Sequence, residues 1–494
     1  MRFPDAQLPV LIAIVPLLAA FVLPLIGRAR PRAAYPFTVA VLGVSASSAL
    51  VGLAAVAVDG PIHYAFGGWA PPLGIAWRLD GLSAFVSVAL SVSLLVILIG
   101  VHENAEAEFG QHPVAFHTLL LLLGSGMLGL VLSADLFNVF VFLEVFSISA
   151  YALIGSGAKR GTVAAYRYLL FGTVGATLYL FGVGLLYAMT GTLNMDDAAA
   201  RLAPLAGSRV VLGAVILLVT GLAIKAAIVP LHGWLPDAYA YAPNAVSAVI
   251  APLMTKVALY ALIRILGWVA GMWWSADAVV MAILRLAAVA AIVLGPLAAR
   301  LQTDFRRLLA YSSIGQIGLI VLGISFASEL GLTGALLHLV NDICAKAVLF
   351  LTACVITLRM RVSQVSALSR LKEPMGWFWV MFVIASLSMV GIPPTLGFFS
   401  KWYLILAALE ASRWPLAALV VASALLSAWY VFVLVELLFR RPDAPAAKPD
   451  EVLHVPWRMT FATGVFAIGL IALGLANQPI ARLIGRIAMP PGAP

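Results

Sequence analysis

Residues 133–155 read SADLFNVFVFLEVFSISAYALIG, a run that is apolar after its opening Asp135 except for one carboxylate, Glu144, which ten residues separate from Ser133. About 20 apolar residues make one helical crossing of a bilayer, so Glu144 falls near mid-membrane. A charged side chain at that depth costs roughly 2.5–3.5 kcal/mol on insertion scales. The same anomaly recurs. Lys225, Lys256, Asp342, Lys346 and Lys401 also sit inside apolar sequence. Intramembrane ionisable groups mark ion or proton pathways by default, and carboxylates with amines suit protons.

Composition sets the frame. The chain is 63% hydrophobic and 10% charged, with a mean hydropathy of +1.06, whereas soluble domains carry about 25% charged residues. This excludes a water-soluble protein and predicts a polytopic membrane protein. The first apolar run, Leu8 to Gly27, lacks a basic leader and reads as a first span rather than a cleaved signal. The net charge of +9 is expected from basic cytoplasmic loops, not from nucleic-acid binding. Cys344 and Cys354 have no CxxC spacing and read as small buried hydrophobes. No Walker A, no GxGxxG after a strand and no HExxH is present. Neither a cofactor nor a metal site is expected.

Cut into lengths of about 20 residues, the chain gives about fourteen spans in an all-α integral membrane protein. Basic loops alternate. Arg28, Arg30 and Arg32, then Lys159 and Arg160, then Arg300, Arg306 and Arg307, then Arg359, Arg361, Arg370 and Lys372, then Arg440, Arg441 and Lys448 fall on one side. Arg78, Arg201, Arg209 and Arg413 fall on the other. The positive-inside rule then puts both termini on the non-cytoplasmic side. One loop disagrees, since His102 to His112 is acidic where a basic loop is expected. Two spans are interrupted, at KAAIVPLHGWLPDA around Pro230 and at GIPPTLGFFSK around Pro393 and Pro394. Paired broken spans point to an inverted-repeat transporter. The expected organisation is N-terminal helices over 1–110, five-helix repeats over 111–270 and 271–440, and a C-terminal helix over 441–494.

Burial disfavours the charged form of Glu144 unless a cation is near, and either Lys225 or Lys256 is available for that role. The alternative is a static ion pair. Lys225 and Lys256 lie too deep in their spans for snorkelling to an interface. His338, Asp342 and Lys346 are spaced i, i+4, i+8, which puts them on one helical face and suggests a proton relay. Lys401 follows the second break and is placed to end the path. Arg285 and Glu436 lie near span ends, and Asp80 and Asp135 read as helix caps.

Five motifs carry a family resemblance: SADLFNVFVFLEVF, LHGWLPDAYAYAPNAVSAVIAPLMTK, DFRRLLAYSSIGQIG, HLVNDICAK and GIPPTLGFFSKW. Together they resemble the proton-translocating, antiporter-like membrane subunits of Mrp-type cation/proton antiporters, membrane-bound hydrogenases and respiratory complex I. The resemblance covers about residues 80–440 and is nearest the D subunit of an Mrp-type Na+/H+ antiporter. It implies that Glu144, Lys225, Lys256, His338, Lys346 and Lys401 carry protons, with helix breaks at Pro230 and Pro393. It also implies partner membrane subunits, a monovalent cation and an inner-membrane location, or else service in a complex I or hydrogenase pump. Relatives often have His where this chain has Asp342, and His where it has Gln316. Asp342 is therefore the member of the set that the family does not predict.

Overall fold

The computed structural model describes residues 5–205, 207–271, 279–360, 364–366, 377–439 and 455–487. The basic residues Arg361, Arg370, Lys372, Arg440, Arg441 and Lys448 lie outside them.

The chain opens with α1 (Leu8–Ala29), α2 (Ala34–Asp59) and α3 (Gly81–Gly100), with a two-stranded hairpin, β1 (Ile62–Ala65) and β2 (Ala76–Leu79), between the last two. A short α4 (His102–Phe109) leads to α5 (Pro113–Leu132), α6 (Leu136–Gly155) and α7 (Lys159–Thr190). After α8 (Met195–Leu202), α9 (Arg209–Lys225) stops at the first break, and α10 (Leu235–Tyr241) and α11 (Asn244–Arg264) follow. The second set is α12 (Val279–Arg300), α13 (Phe305–Ser325), α14 (Glu329–Met360), the broken pair α15 (Phe378–Val390) and α16 (Leu396–Glu410), and α17 (Trp414–Phe439). The chain continues with α18 (Trp457–Leu475) and a short helix, α19 (Asn477–Ile487). Among the described residues twelve helices are long and apolar enough to cross a membrane. The broken pairs α9–α10 and α15–α16 bring the crossings to the fourteen expected.

Burial sorts these helices. α11 is buried along its whole length and α13 and α14 nearly so, whereas α1, α7 and α17 leave most of theirs uncovered. The uncovered faces carry large apolar side chains such as Phe21, Phe181, Leu286 and Leu425, as lipid-facing helices do. The two five-helix sets pack alike: α5 on α6 and α7 on α9 in the first, α12 on α13 and α14 on α16 in the second. Five crossings is an odd number, so the second set enters from the opposite face and runs inverted.

Local chemistry explains the breaks. α15 ends at Gly391, whose φ of 92° is in the left-handed region that glycine adopts freely. A side chain there would also crowd Lys401, whose Cδ is 3.1 Å from the position of a Cβ. At the first break the Ile224 carbonyl accepts from Ala227 N at 3.1 Å and from Trp234 Nε1 at 2.8 Å. Open backbone inside a membrane is tolerated only when covered in this way.

The acidic loop also finds its reason. Glu108 of α4 accepts from Asn244 N at 2.7 Å and from Ala245 N at 3.0 Å, and from the Asn244 side chain at 2.6 Å. It caps the N-terminus of α11, where Pro243 in the capping position offers no side-chain bond. A carboxylate is stabilising there because unpaired amides and the helix dipole favour negative charge. Glu108 thus serves this helix end, while Glu103 and Glu106 lie beside Arg458 and His102, at 3.8 and 3.4 Å. Glu108→Ala is expected to lower stability by about 1–2 kcal/mol, in the range of a lost cap. Thermal unfolding of the detergent-solubilised protein measures it, and an unchanged midpoint would refute the capping role.

Candidate functional site

Lys225 is the last residue of α9, so the break places its ammonium beside α6. Its Nζ donates to Glu144 Oε1 at 3.2 Å, to Ser147 Oγ at 2.8 Å and to Tyr151 Oη at 3.2 Å. Of the two lysines available from the sequence, Lys225 is the partner of Glu144. Lys225 is buried, whereas the Glu144 side chain keeps 27% of its surface open. Glu144 thus stands at the edge of the bundle. Gly172 of α7 allows this cluster to close, because its missing side chain leaves room for the Tyr151 hydroxyl and for Lys225 Nζ.

Lys256 pairs across the molecule. Its Nζ is 2.6 Å from Asp342 Oδ2, and both side chains are fully buried. This contact joins α11 of the first set to α14 of the second. It is a close ion pair but not an aligned hydrogen bond, and neither Asp342 oxygen has a hydrogen-bond partner among the described residues. Lys256 Nζ also donates to the Ala251 carbonyl at 3.3 Å.

The stripe of α14 behaves differently from a direct relay. His338, Asp342 and Lys346 are all fully buried on one face, yet none bonds another: His338 turns to α16 and α13, Asp342 to α11 and Lys346 to α13. The His338 ring bridges Ser400 of α16 and Gln316 of α13, at 2.9 Å each. Gln316 thus keeps a polar partner for His338. Lys346 donates to the Leu309 carbonyl at 2.9 Å and to Ser312 Oγ. At the second break Lys401 donates to the Met389 and Val390 carbonyls, at 3.0 and 2.8 Å. It closes the C-terminus of α15, where cations are favoured. Asn341 accepts from Ser388 Oγ at 2.6 Å and ties α14 to the same break.

Several groups near these charges are not evident in the sequence. The rings of Tyr151 and Tyr168 meet edge-on at 4.6 Å, Tyr168 stacks on Trp234 at 3.9 Å, and Trp234 meets Tyr239 at 6.5 Å. Tyr239 is an electrostatic neighbour of Thr255 and Asp342, and Tyr430 of Ser312, Gln316 and Asp342. The hydroxyls of Tyr168, Tyr239, Thr255 and Tyr430 are buried and lack hydrogen-bond partners among the described residues. In apolar sequence a Tyr reads as an interfacial anchor, and no spacing signal shows that these point inward. The caps expected at Asp80 and Asp135 are present, accepting from Ser83 N at 3.0 Å and Asn138 N at 2.8 Å. Arg285 donates to the Ser325 carbonyl at 2.8 Å.

Helices interrupted so that charged groups meet at mid-membrane define a multi-pass membrane protein of the transporter type. Within that class the chain belongs to the NADH:quinone oxidoreductase/Mrp antiporter transmembrane family, which residues 133–427 match. It is 42% identical to the N subunit of the NADH-quinone oxidoreductase of Desulforudis audaxviator, over 98% of this chain and 99% of that one. It is 30% identical to the D subunit of the Na(+)/H(+) antiporter of Alkalihalophilus pseudofirmus, over 84% of this chain and 83% of that one. Its fold matches a chain of the Mrp complex from Dietzia sp. DQ12-45-1b with a TM-score of 0.87, at 28% identity, covering 98% of this chain and 97% of that one.

The Lys256–Asp342 pair makes a sharp energetic prediction. Removing one partner of a buried pair costs about 3–5 kcal/mol, while replacing both by apolar groups is often neutral. Asp342→Leu and Lys256→Met are each expected to lower the thermal midpoint in detergent, and the double variant to recover most of the loss. Additive losses would show that the two side chains do not act as a pair.

Proposed function

We propose that the chain is a proton-translocating subunit of a multisubunit monovalent cation (Na+)/proton antiporter of the cell inner membrane. Both termini lie on the non-cytoplasmic side, and residues 111–270 and 271–440 form the two halves. The observation that carries this reading is the Glu144–Lys225 pair, set at a helix break with Glu144 partly open to the bundle's edge. At 3.2 Å and an effective dielectric near 20, the attraction is worth about 5 kcal/mol. Moving Lys225 toward or away from Glu144 therefore changes the proton occupancy of both.

From this switch, protons pass inward along the unpartnered hydroxyls of Tyr168, Tyr239 and Thr255. Buried hydroxyls without protein partners are ordinarily satisfied by water, and water joins them into a line. Lys256 and Asp342 form the junction between the halves. Lys346, whose partner Ser312 also neighbours Tyr430, and His338 continue the line, and Lys401 at the second break ends it. The counter-cation and partner subunits belong to the assembly as a whole.

A second reading has a specific observation behind it. The 42% identity to an N subunit spans nearly the whole chain and favours the same machinery working in a redox-driven NADH:quinone oxidoreductase. Copurification separates the two. Small antiporter subunits support the first reading, and quinone-reducing or iron–sulfur subunits the second.

Transport in everted membrane vesicles tests the path itself. Glu144→Ala and Lys225→Ala are each expected to reduce proton exchange about tenfold or more, the effect of losing roughly 1.4 kcal/mol or more from the rate-limiting step. Wild-type exchange by both variants, at normal assembly, would leave the chain a scaffold.

A further inference from the structure

Lys256, Tyr260 and Arg264 are spaced i, i+4, i+8 and share one face of α11. Eight residues of helix rise about 12 Å. The stripe therefore runs from the central Lys256–Asp342 pair to the end of α11. There Arg264 meets Asp80, and Asp80 lines an open cavity of about 500 Å³ with Arg78, Asp196, Trp268 and Arg486. A polar stripe between the junction and an open cavity is a route by which protons would escape.

The hydrogen bonding along this stripe is the reverse of that at the centre. Tyr260 Oη donates to the Val131 carbonyl at 2.6 Å. It accepts from Arg264 Nε at 3.1 Å and Nη2 at 2.8 Å. A phenol has one donor and two lone pairs, so Tyr260 has no valence left to relay a proton. Arg264 Nη1 and Nη2 bind the two Asp80 oxygens in a fork at 2.7 Å each. Asp80 also accepts from Arg78 Nε at 3.0 Å and from Ser83 N at 3.0 Å. Burial pushes the Asp80 carboxyl up, but the Arg264 guanidinium outweighs it and holds the group well below the usual carboxylate range. Trp268 lies over the guanidinium at 4.6 Å. By contrast, among the described residues the hydroxyls of Thr255 and Tyr239 have no hydrogen-bond partner, and Asp342 has only its ion pair with Lys256.

Residue type agrees with geometry. The charged groups of the proposed path are Lys, Glu, Asp and His, which all exchange protons. Arg264 is the group on this stripe that does not, because a guanidinium stays protonated throughout the physiological range. A fixed positive charge also repels an excess proton approaching along Tyr260.

We propose that Arg264, locked by Asp80 and Tyr260, is an insulating plug that closes the polar face of α11 between the Lys256 junction and the Asp80 cavity. This rests on Lys256 lying on the proton path. Arg264 is a positioning residue in this role and carries no proton itself.

The test is passive proton leak in proteoliposomes holding the assembled complex. A pH step is imposed with valinomycin and potassium clamping the voltage, and an entrapped pH dye reads the leak. No cation gradient is present, so exchange activity does not contribute. Arg264→Gln is expected to raise the leak about tenfold, the effect of lowering a barrier by roughly 1.4 kcal/mol. Arg264→Lys keeps the ion pair but can release a proton, so it is expected to leak at an intermediate rate. Adding Lys256→Gln to either variant is expected to restore tightness. Wild-type leak in both Arg264 variants overturns the plug. A leak that persists with Lys256→Gln also overturns it, since that leak comes from disturbed packing. If Arg264→Gln does not assemble, the Arg264→Lys series decides alone. Loss of exchange in the Glu144 and Lys225 variants alongside tight Arg264 variants would fail this inference and leave the proposed path standing.

Discussion

The buried contact between Lys256 and Asp342 is the constraint on which the interior depends. Each side chain is fully buried and comes from a different five-helix set. Desolvating two such ions is costly, and only their closeness repays it. α11 and α14 must therefore stay in register to within about an ångström, and the helices around them are arranged to allow it. α11 is fully buried among the neighbouring helices, with α4 capping one end and Asp80 gripping Arg264 near the other. α14 is held by Gln316 and Ser400 through His338, and by Ser388 through Asn341. Asp342 supplies the carboxylate that lets Lys256 sit where the two helix sets meet.

The two helix breaks meet one problem by different means. A broken helix leaves carbonyls without amide partners, and a membrane interior does not forgive them. At the first break the Ala227 amide and the Trp234 indole cover the Ile224 carbonyl, and Lys225 reaches across to Glu144. At the second the lysine itself covers the carbonyls of Met389 and Val390. One lysine is committed to a carboxylate and the other to the backbone. Similar sequence signals, Pro and Gly beside Lys in an apolar span, therefore give two electrostatic settings.

Much of this was legible in the sequence, because a membrane interior allows few solutions. Apolar length fixed the number of crossings, and Pro230, Pro393 and Pro394 marked the interruptions. Glu144 and Lys225 stood out by their cost. Pair partners were less legible. Lys225 and Lys256 were equal candidates for Glu144 until the break aimed one of them at α6. The face shared by His338, Asp342 and Lys346 was correct, but helical spacing says nothing about which neighbouring helix each side chain meets. The inward tyrosines gave no signal, since an apolar span hides whether a Tyr faces lipid or core. Asp80 read as a helix cap, which it is, but its fork with Arg264 joins residues far apart in sequence and only the fold brings them together.

Charge balance separates the two halves further. Lys225 and Lys256 each face a carboxylate, so losing a proton from either lysine leaves a buried anion unless the carboxylate gains one. Lys346 and Lys401 donate only to hydroxyl and carbonyl oxygens. Neutral oxygens of this kind place no anion beside an amine that gives up its proton. On the proposed path, the first half and the seam would move a proton between partners, and the second half would let one go. A proton crossing the seam would pass from sites where charge is exchanged within a pair to sites where it is carried singly, with Asp342 at that change.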